Sequence, residues 1–226
     1  MKISTPGIVL KTNLFKESSI IVRLFTLERG KCSYVIKAAM RQKSPLKAIY
    51  QQMNEVEVNY THNKKRQLQP IYDSKVLNSW NNINKDLRKT ILCLSMVEMI
   101  DKGFDETTSD QSTYYLIKKI LEYFNTCERG YNNAFYFFLL HFLKNTGYSI
   151  IDADQHPILN KYLNKDPKLS SQLEEIYRSD FVDKKNMDLD FGYNKQIMAN
   201  FISDLVRYHL PEIKSFHVAK EIFNNS

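Results

Sequence analysis

The first 80 residues alternate between short β-strand-like segments and turn residues, and this pattern constrains the fold more than any other feature of the sequence. The segments are rich in β-branched and aromatic residues or alternate with a period of two. They are Thr5–Phe15, Ser19–Leu27, Lys31–Lys37, Glu55–Tyr60 and Leu68–Leu77. Five antiparallel strands in so short a stretch predict a small barrel. The strand count allows either an OB-fold or an SH3-like barrel.

After Trp80 the apolar residues recur at helical spacing. We predict helices at Lys85–Lys102, from Asp110 to Phe124, at Asn132–Asn145 and at Tyr193–His209. Asn84 and Asp110 are the expected N-caps of the first two, and Gly103, Gly130 and Gly147 are the expected stops. The Asn132–Asn145 helix is apolar nearly all round, which predicts a central buried helix.

These patterns predict an α+β protein in two domains, residues 1–80 and 81–226. A short helical turn, Leu46–Gln51, is expected between the third and fourth strands. The second domain is expected to be a helical bundle with an irregular insertion at about 148–191. We expect only one short helix, Ser170–Tyr177, inside that insertion, and another, Ser215–Phe223, near the end.

The positive charge of the chain is concentrated in the first domain. The whole chain has a net charge of +7 and a pI of about 9.1. Residues 1–80 contain 14 Lys/Arg and 5 Asp/Glu, a net charge of +9, whereas residues 81–226 have a net charge of −2. A basic domain beside a near-neutral one favours a polyanionic ligand for the first, although such a charge can also serve solubility alone.

The basic residues recur at strand ends and connections, as a track of phosphate contacts would require. The predicted DNA-binding residues are Lys11, Lys16, Arg23, Arg29, Lys31, Lys37, Arg41, Lys43, Lys47, Lys64, Lys65 and Arg66. Aromatic residues lie among them and could stack on bases, but strand aromatics usually face a core. They are Phe15, Phe25, Tyr34, Tyr50, Tyr60 and Tyr72, and we expect most of them to be interior.

No pattern in the sequence predicts a catalytic or metal site. The three cysteines, Cys32, Cys93 and Cys127, are far apart and form no CxxC pair, which argues against zinc and against a disulfide framework. His141, inside the apolar helix, is expected to be a hydrogen-bonded core residue. We therefore predict no enzyme and no cofactor. The alternative enzyme is a metal-dependent nuclease using Asp188 and Asp190, and the alternative binding protein is an RNA-binding OB module.

The sequence has no apolar run of about 20 residues and no secretory leader pattern. We therefore expect a cytoplasmic protein, associated with the nucleoid if it binds DNA, and no membrane partner. The aromatic-rich helical domain also predicts a groove for a partner peptide. Its expected residues are Phe135, Phe138, Phe142, Lys144, Tyr148 and Arg207.

Several short motifs, taken in order and spacing, resemble the RecO family of recombination mediators over nearly the whole chain. They are Gly7–Lys11, Leu24–Lys31, the basic loop Lys37–Leu46, Leu143–Tyr148 and Leu205–Ser215. The resemblance implies an OB-fold followed by an all-α domain. It also implies a protein of DNA repair and recombination that binds single- and double-stranded DNA and anneals complementary strands without enzymatic chemistry.

Further implications concern partners. Together with RecR, and often RecF, members load RecA onto DNA coated by single-strand-binding protein (SSB), whose C-terminal tail they contact through the helical domain. An Arg that helps to hold the tail in some members is replaced here by Tyr136 or Phe137, so Lys144 and Arg207 are the candidates for that role. Many members have a four-cysteine zinc site where this chain has Ile150–Asn160 without cysteine, and we therefore expect no metal.

Overall fold

The computed structural model describes residues 2–41, 44–63, 65–66, 68–151, 156–179, 190–211 and 213–216. The chain forms two compact units. The barrel unit is Met1–Asn81 together with Phe104–Lys118, and the helical unit is Asn82–Gly103 together with Lys119–Ser226. The predicted division after residue 80 therefore omits Phe104–Lys118 from the first unit.

All five predicted strands form, with ends shifted by at most three residues. They are β1 (Lys2–Phe15), β2 (Ser19–Thr26), β3 (Gly30–Ile36), β4 (Glu55–Thr61) and β5 (Gln69–Asn78). The predicted helical turn is α1 (Leu46–Ile49), between β3 and β4. Alternation of side chains along these strands supplies the barrel core, which includes Val22, Leu24, Val56, Val58 and Tyr60.

The strands close into a barrel in the order β1-β2-β3-β5-β4. β1 pairs with β4 through Lys2–Ile8 and with β2 through Gly7–Phe15, with a register shift between Val9 and Lys11. All neighbours are antiparallel except β3 and β5, which pair in parallel. This order, with a helix between β3 and β4, defines an OB-fold and resolves the choice that the strand count left open.

Phe104–Lys118 belongs to the barrel unit through contacts with β2, β3 and β4. The Phe104 ring lies 5.2 Å from the Phe25 ring, and the Thr107 N–H donates to the Lys31 carbonyl at 2.8 Å. Gly30 is required at this contact because its φ is +62° and a Cβ there would lie 1.7 Å from the Thr108 carbonyl oxygen. The glycine is visible in the sequence, but no local pattern predicts that the backbone at Thr107 and Thr108 packs against it.

A buried carboxylate holds the same segment to β4. Glu55 is 1% exposed, and its Oε1 accepts from the Tyr114 hydroxyl at 2.8 Å and from Lys118 Nζ at 2.9 Å. Its Oε2 accepts from Asn78 Nδ2 at 2.5 Å. A buried charge needs such partners, since an isolated one is costly.

We expect Glu55→Ala to lower the free energy of unfolding by about 3 kcal/mol, because three donors lose their acceptor. Glu57 on the same strand is a matched control, since it is only half-buried and its ion pair with Lys75 (2.8 Å) involves an exposed lysine. Glu57→Ala should cost less than about 1 kcal/mol. Urea unfolding measures both. If both variants lose the same free energy of unfolding, the buried hydrogen bonds of Glu55 stabilise the fold no more than a surface ion pair does.

The remaining elements are helices. They are a 3₁₀ turn (Ile83–Lys85), α2 (Leu87–Gly103), α3 (Gln111–Thr126), α4 (Tyr131–Asn145), α5 (Pro157–Leu163), α6 (Leu169–Arg178) and α7 (Lys195–His209). α3 begins in the barrel unit and ends in the helical unit. Among the described helices, none combines the length and the apolar composition that a membrane-spanning helix needs.

Helix-start and helix-stop signals were partly assigned to the wrong residues. Asp110 caps α3 as predicted, accepting from Thr113 N–H at 2.8 Å. Asp86 rather than Asn84 accepts from the first N–H groups of α2, since Asn84 lies inside the 3₁₀ turn. Gly130 does not end α3, which stops at Thr126; it is the left-handed residue preceding α4.

The third predicted helix is the buried one, as expected from its apolar surface. Ten residues of α4 are buried, and its end is a Schellman motif. The Tyr148 N–H donates to the Leu143 carbonyl at 2.7 Å, and the Gly147 N–H donates to the Lys144 carbonyl at 3.0 Å. His141 is half-buried with Nε2 3.0 Å from the Tyr177 carbonyl oxygen, which confirms a hydrogen-bonded histidine at this position.

The prediction of an irregular segment at 148–191 missed α5. This helix has only seven residues, and its cap is His156, whose Nδ1 accepts from the Leu159 N–H. Histidine is not among the usual N-caps, so the start signal was not recognised. Most of the helix predicted at Ser215–Phe223 lies outside the described residues.

His156 also contacts His209 at the end of α7. Their Nε2 atoms lie 2.9 Å apart. Because His156 Nδ1 accepts a hydrogen bond, its Nε2 carries the proton and donates to an unprotonated His209 Nε2. Burial lowers the pKa of both imidazoles, and for His209 the neighbouring His156 lowers the pKa further. The pair is therefore stable in its neutral form.

Because these folded-state pKa values lie below those of the unfolded chain, the unfolded chain binds protons more readily as pH falls. We expect the free energy of unfolding to decrease from pH 7 to pH 5.5, by at most about 1.4 kcal/mol per pH unit for each group. His156→Asn keeps an N-cap but removes one titrating group, and should flatten that slope. Urea titrations at several pH values test this, and an unchanged slope would contradict it.

Candidate nucleic-acid interface

A short row of basic and polar side chains crosses the outer face of β1, β2 and β3. Lys11 is the Cα partner of Arg23, and Arg23 is the partner of Ser33. Partner residues in antiparallel strands place their side chains on the same face. Lys11 is exposed and Arg23 is half-buried. In OB-folds the face of strands 2 and 3, with the β1–β2 and β4–β5 loops, binds oligonucleotides.

The β1–β2 turn and the segment after β3 form a second basic group. The Met40 N–H donates to the Ser18 carbonyl at 3.0 Å, which joins the two segments. Lys16 is the first residue of that turn and has a left-handed conformation, with φ of 56°. Lys16 and Arg41 are both exposed, so the backbone contact brings cations distant in sequence to one end of the barrel.

The β4–β5 loop (62–68) is held by a buried amide that the sequence analysis missed. Gln69 Nε2 donates to the Asn63 carbonyl at 2.9 Å and to the Arg66 carbonyl at 2.6 Å, while its Oε1 accepts from the Asn63 N–H at 3.0 Å. Lys65 and Arg66 are exposed on the loop that this amide shapes. A single glutamine at the start of a strand leaves no pattern that sequence reasoning could have used.

A cleft of about 660 Å³, here called the β3 cleft, opens between the first half of β3, the β4–β5 loop and residues 106–107. Arg29, Arg66 and His62 lie on its walls, with Glu106 as the acidic neighbour. Tyr34 and Tyr60 also line it. The cleft therefore combines cations with aromatic rings within the barrel unit.

The predicted DNA-binding residues differ in accessibility. Lys31 is only 8% exposed and its carbonyl is tied to Thr107, so its prediction as a phosphate contact is not supported by its position. Arg23 and Arg29 are half-buried. Lys43 and Lys64 lie outside the described residues. The exposed residues are Lys11, Lys16, Lys37, Arg41, Lys47, Lys65 and Arg66.

Most of the strand aromatics are interior, as expected. Phe25, Tyr34, Tyr50 and Tyr60 are buried. Tyr72 is exposed. Phe25, Tyr34, Tyr50 and Tyr60 therefore offer no surface on which a base could stack.

The peptide groove predicted in the helical unit is only partly at the surface. Phe135, Phe138 and Phe142 are fully buried, because α4 is enclosed by its neighbours, so the prediction that they line a groove is wrong. Tyr148, Lys144 and Arg207 are exposed. The Lys144 Nζ lies 5.3 Å from the centre of the Tyr177 ring.

The described residues contain no cluster of three or more His, Cys, Asp or Glu side chains that could hold a metal ion. Of the two carboxylates in the nuclease alternative, Asp188 lies outside the described residues. Asp190 accepts from the Gly192 N–H at 2.9 Å, as in a local turn. Its position thus has an ordinary structural explanation.

The closed five-strand order, with a helix between β3 and β4, makes this chain an OB-fold protein, and exposed cations lie on its barrel unit. The family model "Recombination protein O N terminal" matches residues 1–80, and "Recombination protein O C terminal" matches residues 84–151. The chain belongs to the RecO family of DNA repair proteins.

Two curated relatives match nearly the full length of the chain, and a third matches about half of it. The DNA repair protein RecO of Flavobacterium psychrophilum is 25% identical over 244 residues, covering 99% of this chain and 100% of that protein. The corresponding protein of Phocaeicola vulgatus is 22% identical over 245 residues, covering 97% and 98%. That of Salinibacter ruber is 30% identical over 131 residues, covering 58% and 50%.

We expect the β4–β5 loop to contribute measurable salt dependence to DNA binding. Replacing both Lys65 and Arg66 with Ala should reduce the slope of log K against log[salt] for single strands by about 1.4, or roughly 0.7 for each lost phosphate contact. The control is a double Ala variant at Lys165 and Lys168, exposed cations of the helical unit. Fluorescence anisotropy across a salt series measures the slopes, and identical slopes in both variants would exclude the loop.

Proposed function

We propose that this protein binds single- and double-stranded DNA through the barrel unit and anneals complementary strands. The observation that carries the proposal is the cationic face of the OB barrel, with the Lys11–Arg23–Ser33 row and the braced β4–β5 loop. Membership of the RecO family supports the same function.

The mechanism is electrostatic. Two complementary strands repel each other through their phosphates, and the basic barrel releases counterions from both when it binds them. The local concentration of the strands then rises while their repulsion falls. Base pairing itself supplies the sequence information, so the protein needs neither a base code nor a catalytic group.

The helical unit is proposed as the surface for protein partners in recombinational repair. Together with RecR, and with RecF where it takes part, the protein would help RecA to load onto SSB-coated single strands. The exposed Lys144, Tyr148 and Arg207 are candidates for contact with the acidic-hydrophobic C-terminal tail of SSB. Exposed cations and an exposed ring suit a peptide of that chemistry.

Charge reversal at Arg41, Lys43 and Lys47 tests the annealing proposal. The triple Glu variant should anneal SSB-coated complementary strands at least tenfold more slowly than the wild type, because three phosphate-attracting charges become repulsive. Annealing is followed by fluorescence energy transfer between labelled strands. If the triple variant anneals at the wild-type rate, Arg41, Lys43 and Lys47 have no role in annealing.

The matched control reverses three exposed lysines of the helical unit, Lys119, Lys165 and Lys168, and should retain annealing. In a second experiment the strands are coated with SSB that lacks its C-terminal tail. Slower annealing by the wild-type protein on these strands would report the tail contact separately from DNA binding. Cleavage of the labelled strands in magnesium would instead favour the nuclease. Preference for RNA over DNA at fixed salt would favour the RNA-binding module.

A further inference from the structure

The β1–β2 hairpin extends beyond the closed part of the barrel. The pairing of β1 with β4 ends at Ile8, and the Thr12 hydroxyl donates to the Tyr50 carbonyl at 2.8 Å, where the chain approaches β4. Residues 13–15 continue beside β2, and no other strand or bridge of the described residues pairs with them. Within the described part of the chain, this end of β1 therefore has one unpaired edge, to which another extended chain can add.

The inward face of the hairpin is open to solvent at this end. Leu14 is the Cα partner of Ile20, and Thr12 is the partner of Val22, so these four side chains lie on the face that is turned toward the barrel core. Ile20 and Val22 are buried, whereas Leu14 is 73% exposed. Leu14 is therefore part of an apolar surface that continues the core and that the barrel itself does not cover.

That surface lines a groove of about 770 Å³, here called the α1 groove, between the hairpin and the segment that contains α1. Leu14 and Ile20 line it from the hairpin, and Met40 and Ala48 line it from the segment between β3 and β4. Its volume lies within the range of about 300–1,000 Å³ that ligand sites occupy. Methionine adapts to ligands of varied shape. The groove is therefore large enough to receive apolar side chains of a partner.

The charges around the α1 groove favour an acidic partner. Lys47 is the charged residue among its described lining residues, which include no Asp or Glu. The described segments that form the groove, residues 11–20, 37–41 and 44–52, contain five Lys or Arg residues and one Glu. Carboxylates of a partner would therefore meet a surface of opposite charge.

We propose that the α1 groove is the docking site for an extended peptide in which apolar and acidic residues alternate. Side chains of a strand alternate between its two faces, so a peptide that adds to the unpaired edge of β1 places every second side chain in the groove. The remaining side chains lie on the outer face of the barrel, where Lys11 is exposed on β1. Backbone hydrogen bonds to the edge supply affinity, and the groove selects the apolar residues.

The α1 groove suits a peptide better than a nucleic acid. Bases stack on accessible aromatic rings, but Tyr50, the one aromatic residue in the described lining of the groove, is buried. A strand edge bonds to another peptide backbone, which a nucleic acid lacks. The site lies on the barrel unit, apart from the residues proposed for the SSB tail, and it does not depend on whether the barrel binds DNA.

Binding of synthetic peptides to the intact chain tests the proposal in the absence of DNA. A labelled peptide of alternating leucine and aspartate is compared by anisotropy with a leucine–asparagine peptide, which has no charge, and a serine–aspartate peptide, which has no apolar side chains. The wild-type protein should bind the leucine–aspartate peptide roughly tenfold or more tightly than either of the others, because only this peptide uses both the groove and the cations.

Leu14→Ala removes an apolar contact of the groove, and the 73% exposure of Leu14 means that the barrel core stays intact. This variant should bind the leucine–aspartate peptide about tenfold more weakly, and its affinity for the serine–aspartate peptide should stay within about twofold of wild type. Leu87→Ala is the matched control. Leu87 is 74% exposed at the start of α2 in the helical unit, and this variant should bind all three peptides like the wild type.

Several results would overturn the proposal. If the wild-type protein binds the leucine–aspartate peptide no better than the serine–aspartate peptide, or if Leu14→Ala binds it as well as Leu87→Ala does, the groove receives no peptide. Weaker binding of a single-stranded oligonucleotide by Leu14→Ala, with unchanged peptide binding, would assign the groove to DNA. A wild-type dimer that Leu14→Ala converts to a monomer in sedimentation would assign it to a second copy of the chain. The wild-type comparison of peptides needs no variant, so it decides the question even if Leu14→Ala folds poorly.

Discussion

The double pairing of β1 is the constraint on which the barrel depends. One strand of 14 residues bonds to β4 with its first half and to β2 with its second. The register shift between Val9 and Lys11 allows this change of partner by bending the strand. Val9 itself exchanges backbone hydrogen bonds with Met53 and Asn54, just before β4. Without that bend the five strands would form an open sheet with exposed edges.

β1 pairs along its whole length with its two neighbours, whereas the pairing between β3 and β5 is short and parallel. In the described part of the chain, β3 and β5 pair at two positions, and β3 also forms a bridge from Lys31 to Glu106, which follows α2 in the chain. Gly30 permits this approach, and Gln69 shapes the neighbouring loop. The features of the candidate site thus follow from where the barrel is least regular, which is common for functional sites on closed sheets.

Sequence reasoning recovered the elements with strong periodicity and missed those set by single contacts. The strands and α4 were predicted because their apolar patterns run over many residues. The cap at Asp86, the helix α5 and the histidine pair depend on one or two atoms each. The phenylalanines of α4 were assigned to a groove because composition cannot tell a core from an exposed apolar surface, whereas their burial decides it.

By itself the sequence determined the five strands, the order of the two domains, the confinement of positive charge to residues 1–80 and the resemblance to the RecO family. Each is a property of residue type and spacing along the chain. Only the tertiary structure decided that the barrel is an OB-fold, that Phe104–Lys118 belongs to it, and that Lys31 is buried while Lys11 and Arg66 are exposed. These depend on contacts between residues far apart in sequence, and local propensity contains no information about such contacts.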